Sequence, residues 1–140
     1  MKISTRGRYS LRMMLDLAIH YESGEFISLK DISARQNISK KYLEQLVPFL
    51  NRSGLLLTNR GNMGGYRLAK APSEITLDEV LKSAEGSLCP VSCIECAPHG
   101  CENRADCLTL PVWEGLYAVI NDYLHSISLQ DVIKGIQRID

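Results

Sequence analysis

Long apolar runs are missing from this chain. No stretch approaches the roughly 18 apolar residues that a membrane-spanning helix needs. The basic start, MKISTRGRYS, has no apolar core of a signal peptide. The expected location is therefore the cytoplasm, with no membrane partner. No cysteine occurs in the first 88 residues or the last 33, which argues against a disulfide-stapled scaffold. A glycine-rich stretch at 61–65 is not followed by GK[ST] and has no strand-to-helix setting, so nucleotide binding is excluded there. No Ser/His/Asp constellation and no paired-carboxylate site emerges, and His20 and His125 read as ordinary helix residues. The chain is expected not to be an enzyme.

Charge and sulfur are present, both unevenly. Residues 1–70 carry twelve Lys/Arg against five Asp/Glu, a net of +7, and residues 71–140 carry four against eleven, a net of −7. Such asymmetry suggests that the first half meets a polyanion; the plainer reading is a solvated surface whose charges happen to segregate. All five cysteines fall in nineteen residues, CPVSCIECAPHGCENRADC, from Cys89 to Cys107. Clustered in a polar, Pro- and Gly-containing stretch, they read as metal or redox chemistry rather than core filling.

The basic half resolves into a pattern. Ser4 or Thr5 caps a first helix running to about Tyr21, with one apolar row at Leu11, Met14, Leu15 and Ala18 and a second at Met13, Leu17 and Tyr21. A helix apolar on two sides must be covered on two sides, so it belongs at the centre. After Glu22–Glu25, Phe26-Ile27 reads as a short strand. Ser28 and Asp31 form a capping box opening a helix to Gln36. Asn37 suits the tight turn that follows. Ser39 caps a helix from Lys40 to Arg52, in which Pro48 should remove a hydrogen bond and introduce a kink, and Gly54 ends it.

Two short helices joined by a tight turn make a helix-turn-helix, and the second places its N-terminal residues in the major groove. Its outward residues, Lys40, Lys41, Glu44 and Gln45, suit phosphate, guanine, cytosine and adenine. Leu55–Thr58 and Tyr66–Ala69 then form a β-hairpin with a glycine-rich tip. A hairpin after a recognition helix is a wing, and Arg60 at its tip is placed for the minor groove. Lys2, Arg6 and Arg8 at the front of the first helix are placed for phosphates. Thr76 and Glu79 box the start of a further helix to about Ala84.

Beyond the cysteines, 108–127 is the longest helical pattern. Pro111 suits its first turn. Val112, Trp113, Leu116, Tyr117, Val119, Ile120, Tyr123, Leu124 and Ile127 span an arc of roughly 160°. That is wider than one domain face requires, and points to packing on a second chain as well as its own. Ser128 and Asp131 box a short terminal helix that returns towards the winged part. The expected fold is mainly α with a small β-hairpin: residues 1–85 a winged helix-turn-helix, 86–107 a cysteine-rich loop, 108–140 a dimerisation helix and a terminal helix, in one compact domain.

The opening Lys2–Tyr9, the stretch Ser39-Lys-Lys-Tyr-Leu-Glu-Gln-Leu46, the wing Arg60-Gly61 followed by Gly64-Gly65-Tyr66, and Cys107-Leu-Thr before Trp113 resemble the Rrf2 family of bacterial winged-helix transcription regulators over nearly the whole chain. The nearest branch is that of the iron–sulfur cluster regulators. The resemblance implies homodimers joined through the long C-terminal helix on a double-stranded DNA operator. It assigns DNA contacts to Lys2, Thr5, Arg8, Ser39, Lys40, Lys41, Tyr42, Glu44, Gln45, Arg60 and Gly61. It also implies an iron–sulfur cluster, 2Fe–2S, as cofactor. Cys101 and Cys107 match the last two cluster cysteines of that branch. Cys93 or Cys96 supplies the first, with Cys93 ranked ahead. The branch's histidine three residues after the last cysteine is replaced by Leu110, so a fourth cysteine (Cys89 among them) or His99 must complete the set. Together these imply a repressor that senses cluster status. Zinc or a thiol switch at the same cysteines is the alternative, because Cys93-x2-Cys96 suits zinc although no second such pair follows. An electron-transfer module is a third reading, but it leaves the basic half unexplained.

Overall fold

The computed structural model describes residues 2–95 and 104–136; Cys96, His99 and Cys101 lie outside the described residues. Its order is α1 (Thr5–Ile19), a 3-10 turn (Tyr21–Ser23), α2 (Leu29–Gln36), α3 (Lys40–Arg52), β1 (Leu56–Asn59), β2 (Gly65–Leu68), a 3-10 turn (Pro72–Glu74), α4 (Leu77–Glu85), α5 (Ser92–Glu95), a 3-10 turn (Arg104–Asp106), α6 (Leu110–His125) and α7 (Leu129–Lys134). The mainly helical fold with a hairpin wing is as the sequence predicts. Among the described residues no helix is long and apolar enough to cross a membrane.

α1 is the central helix. Met13, Met14 and Leu17 are buried, and α2, α3, α4, α7 and β2 all pack around it. Each such side chain contributes about 1.5–3 kcal/mol on burial. Ser4, not Thr5, is the cap: its Oγ accepts from the Gly7 N–H at 3.1 Å. The helix stops at Ile19, two residues short of the predicted end, and Tyr21 falls in a 3-10 turn closed by Gly24 at φ 71.

The helix-turn-helix forms as patterned. Asn37 holds φ 54, which only a few residue types adopt readily, and so turns the chain between α2 and α3. Only half of the Ser28 box is made: Ser28 Oγ accepts from the Asp31 N–H at 3.1 Å, with no return bond to the Ser28 N–H. Gly65 occupies that side, since a Cβ built on it would lie 2.9 Å from Ser28 N. α3 runs unbroken through Pro48. Pro48 is exposed, so the Glu44 carbonyl that lacks its usual partner is on the wet side of the helix.

β1 and β2 pair antiparallel from Leu56↔Leu68 to Asn59↔Gly65, each one residue off the predicted span. Leu56 and Leu68 face the core while Leu57 and Thr58 are exposed. The predicted strand at Phe26-Ile27 reduces to a single bridge: the Ile27 and Tyr66 N–H groups each donate to the other's carbonyl at 2.8 Å.

The C-terminal part is sewn back on. Leu77 N–H donates to Ile127 O and Leu129 N–H to Ile75 O, both at 2.9 Å. The Ser128 box is complete, with bonds of 3.1 and 2.9 Å to Asp131. α7 packs on α1, and Leu129 is fully buried. α6 differs from every other long helix in burying none of its residues. Val112, Leu116, Val119 and Tyr123 form a stripe at spacings of four, three and four, all 41–64% exposed. Leu124 reaches the core, and Ile127 lies past the helix end, buried in the bridge to α4.

Candidate DNA interface and cysteine segment

The candidate DNA-facing residues lie in three places. Ser39 caps α3, its Oγ accepting from the Tyr42 N–H at 3.1 Å. Lys40, Lys41, Glu44 and Gln45 are all exposed, as the outward face requires. Tyr42 is half-buried and meets Tyr9 of α1 edge-to-face, with ring centroids 5.6 Å apart. That contact sets the start of α3 against the start of α1. On α1, Lys2, Thr5 and Arg8 are exposed, and the Arg8 guanidinium donates to Thr5 Oγ1 at 3.0 Å. The third place is the wing tip with Arg60 and Gly61.

A groove of about 550 Å³ joins two of the three. Lys40 of α3 and Arg60 and Gly61 of the wing line it, together with Ser28, Lys30 and Asn51. Lys30 was not among the residues singled out from sequence; it sits in α2, outside the expected reading face, and only the fold turns it into this groove. Lys41, Glu44 and Gln45 lie on α3 outside the groove. Three cations around one open groove favour an anionic occupant.

The frame behind this surface rests on a residue the sequence pattern passed over. Asp16 is 2% exposed and accepts from Arg35 Nε at 3.0 Å, Arg35 Nη2 at 2.8 Å and Gln36 Nε2 at 3.0 Å. It ties α1 to α2. Burial pushes its carboxyl up, but the Arg35 and Gln36 hydrogen bonds and the charges of Arg35 and His20 together outweigh this and hold it below the ordinary 3.8. The available signal was a lone acid inside the apolar run Met13–Ala18. Arg67 plays a similar part for the wing, donating to Gly24 O at 3.1 Å and lying 5.8 and 5.7 Å from the Tyr21 and Phe26 ring centres. His125, read as an ordinary helix residue, bonds Asp78 Oδ2 at 3.2 Å and so links α6 to α4.

Cys89, Cys93 and Cys107 are half-buried, unpaired thiols. Cys89 donates to Val91 O at 3.0 Å. Cys93 lies in α5. Cys107 lies 3.3 Å from Thr109 Oγ1, three residues before α6. Hydrogen bonding from the Thr109 hydroxyl, and from the Thr109 and Leu110 backbone, pulls its thiol below the ordinary 9.0. Among the described residues no three His, Cys, Asp or Glu side chains gather into a metal site. Two of the four candidate ligands, Cys96 and Cys101, lie outside the described residues.

A helix-turn-helix followed by a pinned β-wing, with cations on the helix, wing tip and front of α1, defines a winged-helix DNA-binding protein. The chain belongs to the Rrf2 family, described as iron-dependent transcriptional regulators, whose pattern matches residues 3–135. It is 41% identical over 140 residues to the HTH-type transcriptional regulator IscR of Cereibacter sphaeroides, covering 99% of this chain and 90% of that protein. It is 39% identical over 133 residues to IscR of Aliivibrio salmonicida, covering 95% and 77%. Among solved structures it is similar to CymR, the global cysteine regulator of B. subtilis, at TM-score 0.78 and 34% identity over 98% of this chain and 99% of that one. It is similar to T. potens IscR at TM-score 0.74 and 34% identity, covering 99% and 94%. The protein is a transcriptional regulator and not an enzyme.

Proposed function

We propose that the chain is a homodimeric repressor that reads a double-stranded operator and senses iron–sulfur cluster status through its cysteine segment. The supporting observation is where that segment sits. It leaves the winged part at the end of α4 and returns at Cys107, three residues before α6. α6 carries the exposed apolar stripe, and such a stripe on a soluble regulator calls for a covering surface. In chain order the segment therefore links the DNA-reading part to the helix on which a second copy would pack.

Thiolates are soft ligands suited to iron–sulfur clusters, and the lowered Cys107 thiol fits that donor chemistry. Cys93, Cys96, Cys101 and Cys107 would hold the group, which would supply sensitivity to iron and oxidants. Leu110 leaves no histidine at the usual fourth position. Protein purified without oxygen is expected to carry visible absorbance with about two iron and two sulfide per chain, as a 2Fe–2S group requires. One zinc per chain with no sulfide would overturn the cluster reading.

A thiol switch without metal is the second reading. The lowered Cys107 thiol and the likeness to S. aureus CymR solved in its oxidised form (TM-score 0.73, 33% identity) favour it. Reversible loss of free thiols with no bound metal would select it.

For DNA reading, the roles are Lys2, Thr5, Arg8, Lys40 and Lys41 on phosphates, Ser39, Tyr42, Glu44 and Gln45 towards bases, and Arg60 with Gly61 at the minor groove. Arg60→Ala is expected to weaken specific binding roughly tenfold or more at physiological salt, on the scale of one lost groove contact. Fluorescence anisotropy checks it; unchanged affinity removes Arg60 from the interface.

A further inference from the structure

We propose that Glu85 is a positioning residue that couples the cysteine segment to the DNA-facing start of α1. The inference rests on the DNA-binding reading above.

A helix N-terminus closed by a capping box has two parts: the cap hydroxyl bonds the N3 amide, and the N3 carboxylate bonds the cap amide. In α1 the cap is Ser4, and its Oγ takes the Gly7 N–H as usual. The N3 residue is Gly7, which has no side chain to return the bond. Glu85 supplies it from another helix: its Oε1 accepts from the Ser4 N–H at 3.0 Å and also from the Ser4 hydroxyl. The substitution is spatial as well as chemical, since a Cβ on Gly7 would lie 2.2 Å from Glu85 Oε1. Gly7 is buried, so the carboxylate and a side chain at position 7 compete for one place.

A second strap lies alongside. Arg6 Nε donates to the Ala84 carbonyl at 2.7 Å. Lys2 and Ile3 share a small cavity of about 60 Å³ with Glu85, Ser87, Leu88 and Cys89. Glu85 is the last residue of α4, and the cysteine segment starts next to it. The residues that Ser4 begins are Thr5 and Arg8, which face outward. The first turn of α1 is therefore held by the residue from which the cysteine segment departs. A change in the segment that shifts Glu85 removes the cap bond and loosens the turn carrying Thr5 and Arg8.

The test moves the carboxylate. In Glu85→Ala the cap bond is lost. In the double variant Gly7→Glu with Glu85→Ala, the carboxylate sits at the N3 position of α1 itself and the capping box with Ser4 becomes local, so the cap is restored and its link to the segment is cut. Full-length proteins are treated with iodoacetamide to alkylate the thiols, and amide exchange is followed over residues 2–10. Alkylated wild type is expected to exchange there about tenfold faster, within the range of ordinary coupling. The double variant is expected to exchange slowly with or without treatment, and Glu85→Ala fast in both. Glu85→Gln, which keeps an acceptor oxygen, is expected to be intermediate. A wild type whose N-terminal exchange ignores alkylation, or a double variant that responds as wild type does, overturns the coupling. Binding to a duplex enriched by wild type from a random pool should follow the same order. A wild type that enriches no duplex overturns the DNA-binding reading instead, and the exchange result still decides the role of Glu85.

Discussion

Arg35→Met is expected to destabilise the protein by about 3 kcal/mol, and by more than Asp16→Asn does. The two ends of the pair are not equivalent. Asp16 is 2% exposed, whereas the Arg35 side chain is 39% exposed. Removing the guanidinium leaves a buried carboxylate held by Gln36 and the nearby His20 alone, and an uncompensated buried charge is costly. Removing the carboxylate frees an arginine that can swing into water, so the loss is nearer that of hydrogen bonds, about 1–2 kcal/mol. Urea unfolding of both variants tests this, and equal or reversed costs would contradict it.

The pair also predicts a pH response. The folded Asp16 carboxyl lies below its ordinary 3.8. Its stabilisation is therefore fully present above that value and is lost as pH falls through the folded value. Asp78 and Asp131 are lowered in the same sense. Wild type should lose stability progressively below pH 3.8. In Arg35→Met burial acts on Asp16 with less opposition, so its folded carboxyl moves up towards or past the unfolded value and this part of the acid loss shrinks or reverses.

The second large effect is expected at Gly65. Gly65→Val should detach the wing, costing about 2 kcal/mol or more and lowering DNA affinity at least about tenfold. A Cβ at this position would lie 2.3 Å from Ile27 O and 2.5 Å from its carbonyl carbon. Both are backbone atoms, so no side chain can rotate aside. Accommodation requires parting Ile27 from Tyr66 and giving up two bonds of 2.8 Å. That bridge joins the wing to the segment before α2, and with it the groove between Lys30, Lys40 and Arg60. Unfolding and anisotropy measure the two effects. A Gly65→Val protein that binds its duplex as wild type does would show that the wing position does not depend on this approach.

Much of the fold was legible because its signals are local. Ser4, Ser28, Ser39 and Ser128 all cap helices, since a hydroxyl before an apolar-periodic run satisfies amides within its own turn. Asn37 and the hairpin glycines needed no distant partner to be read. The misses at boundaries have tertiary causes. The strand expected at Phe26-Ile27 shrank to a bridge because Ile27 meets only Tyr66, and the Ser28 box stayed half-made where the wing backbone closes on its amide. Asp16, Arg67, Asp78 and Glu85 were missed for one reason. Each acts on a residue 19 to 81 positions away, and no periodicity records such a pairing.

The sequence by itself determined the order of elements, the helix-turn-helix with its wing, and the gathering of the cysteines ahead of a long apolar helix. These follow from caps, turns and spacing, whose energies are spent within a few residues. The tertiary structure alone decided that Lys30 joins Lys40 and Arg60 around one groove, that the stripe on α6 stays uncovered by the described residues, and that Glu85 completes the cap of α1. Each of those depends on which surfaces meet once the apolar faces are buried, and burial is non-directional. It fixes that α1 is covered, while the shapes and charges of particular side chains fix by what.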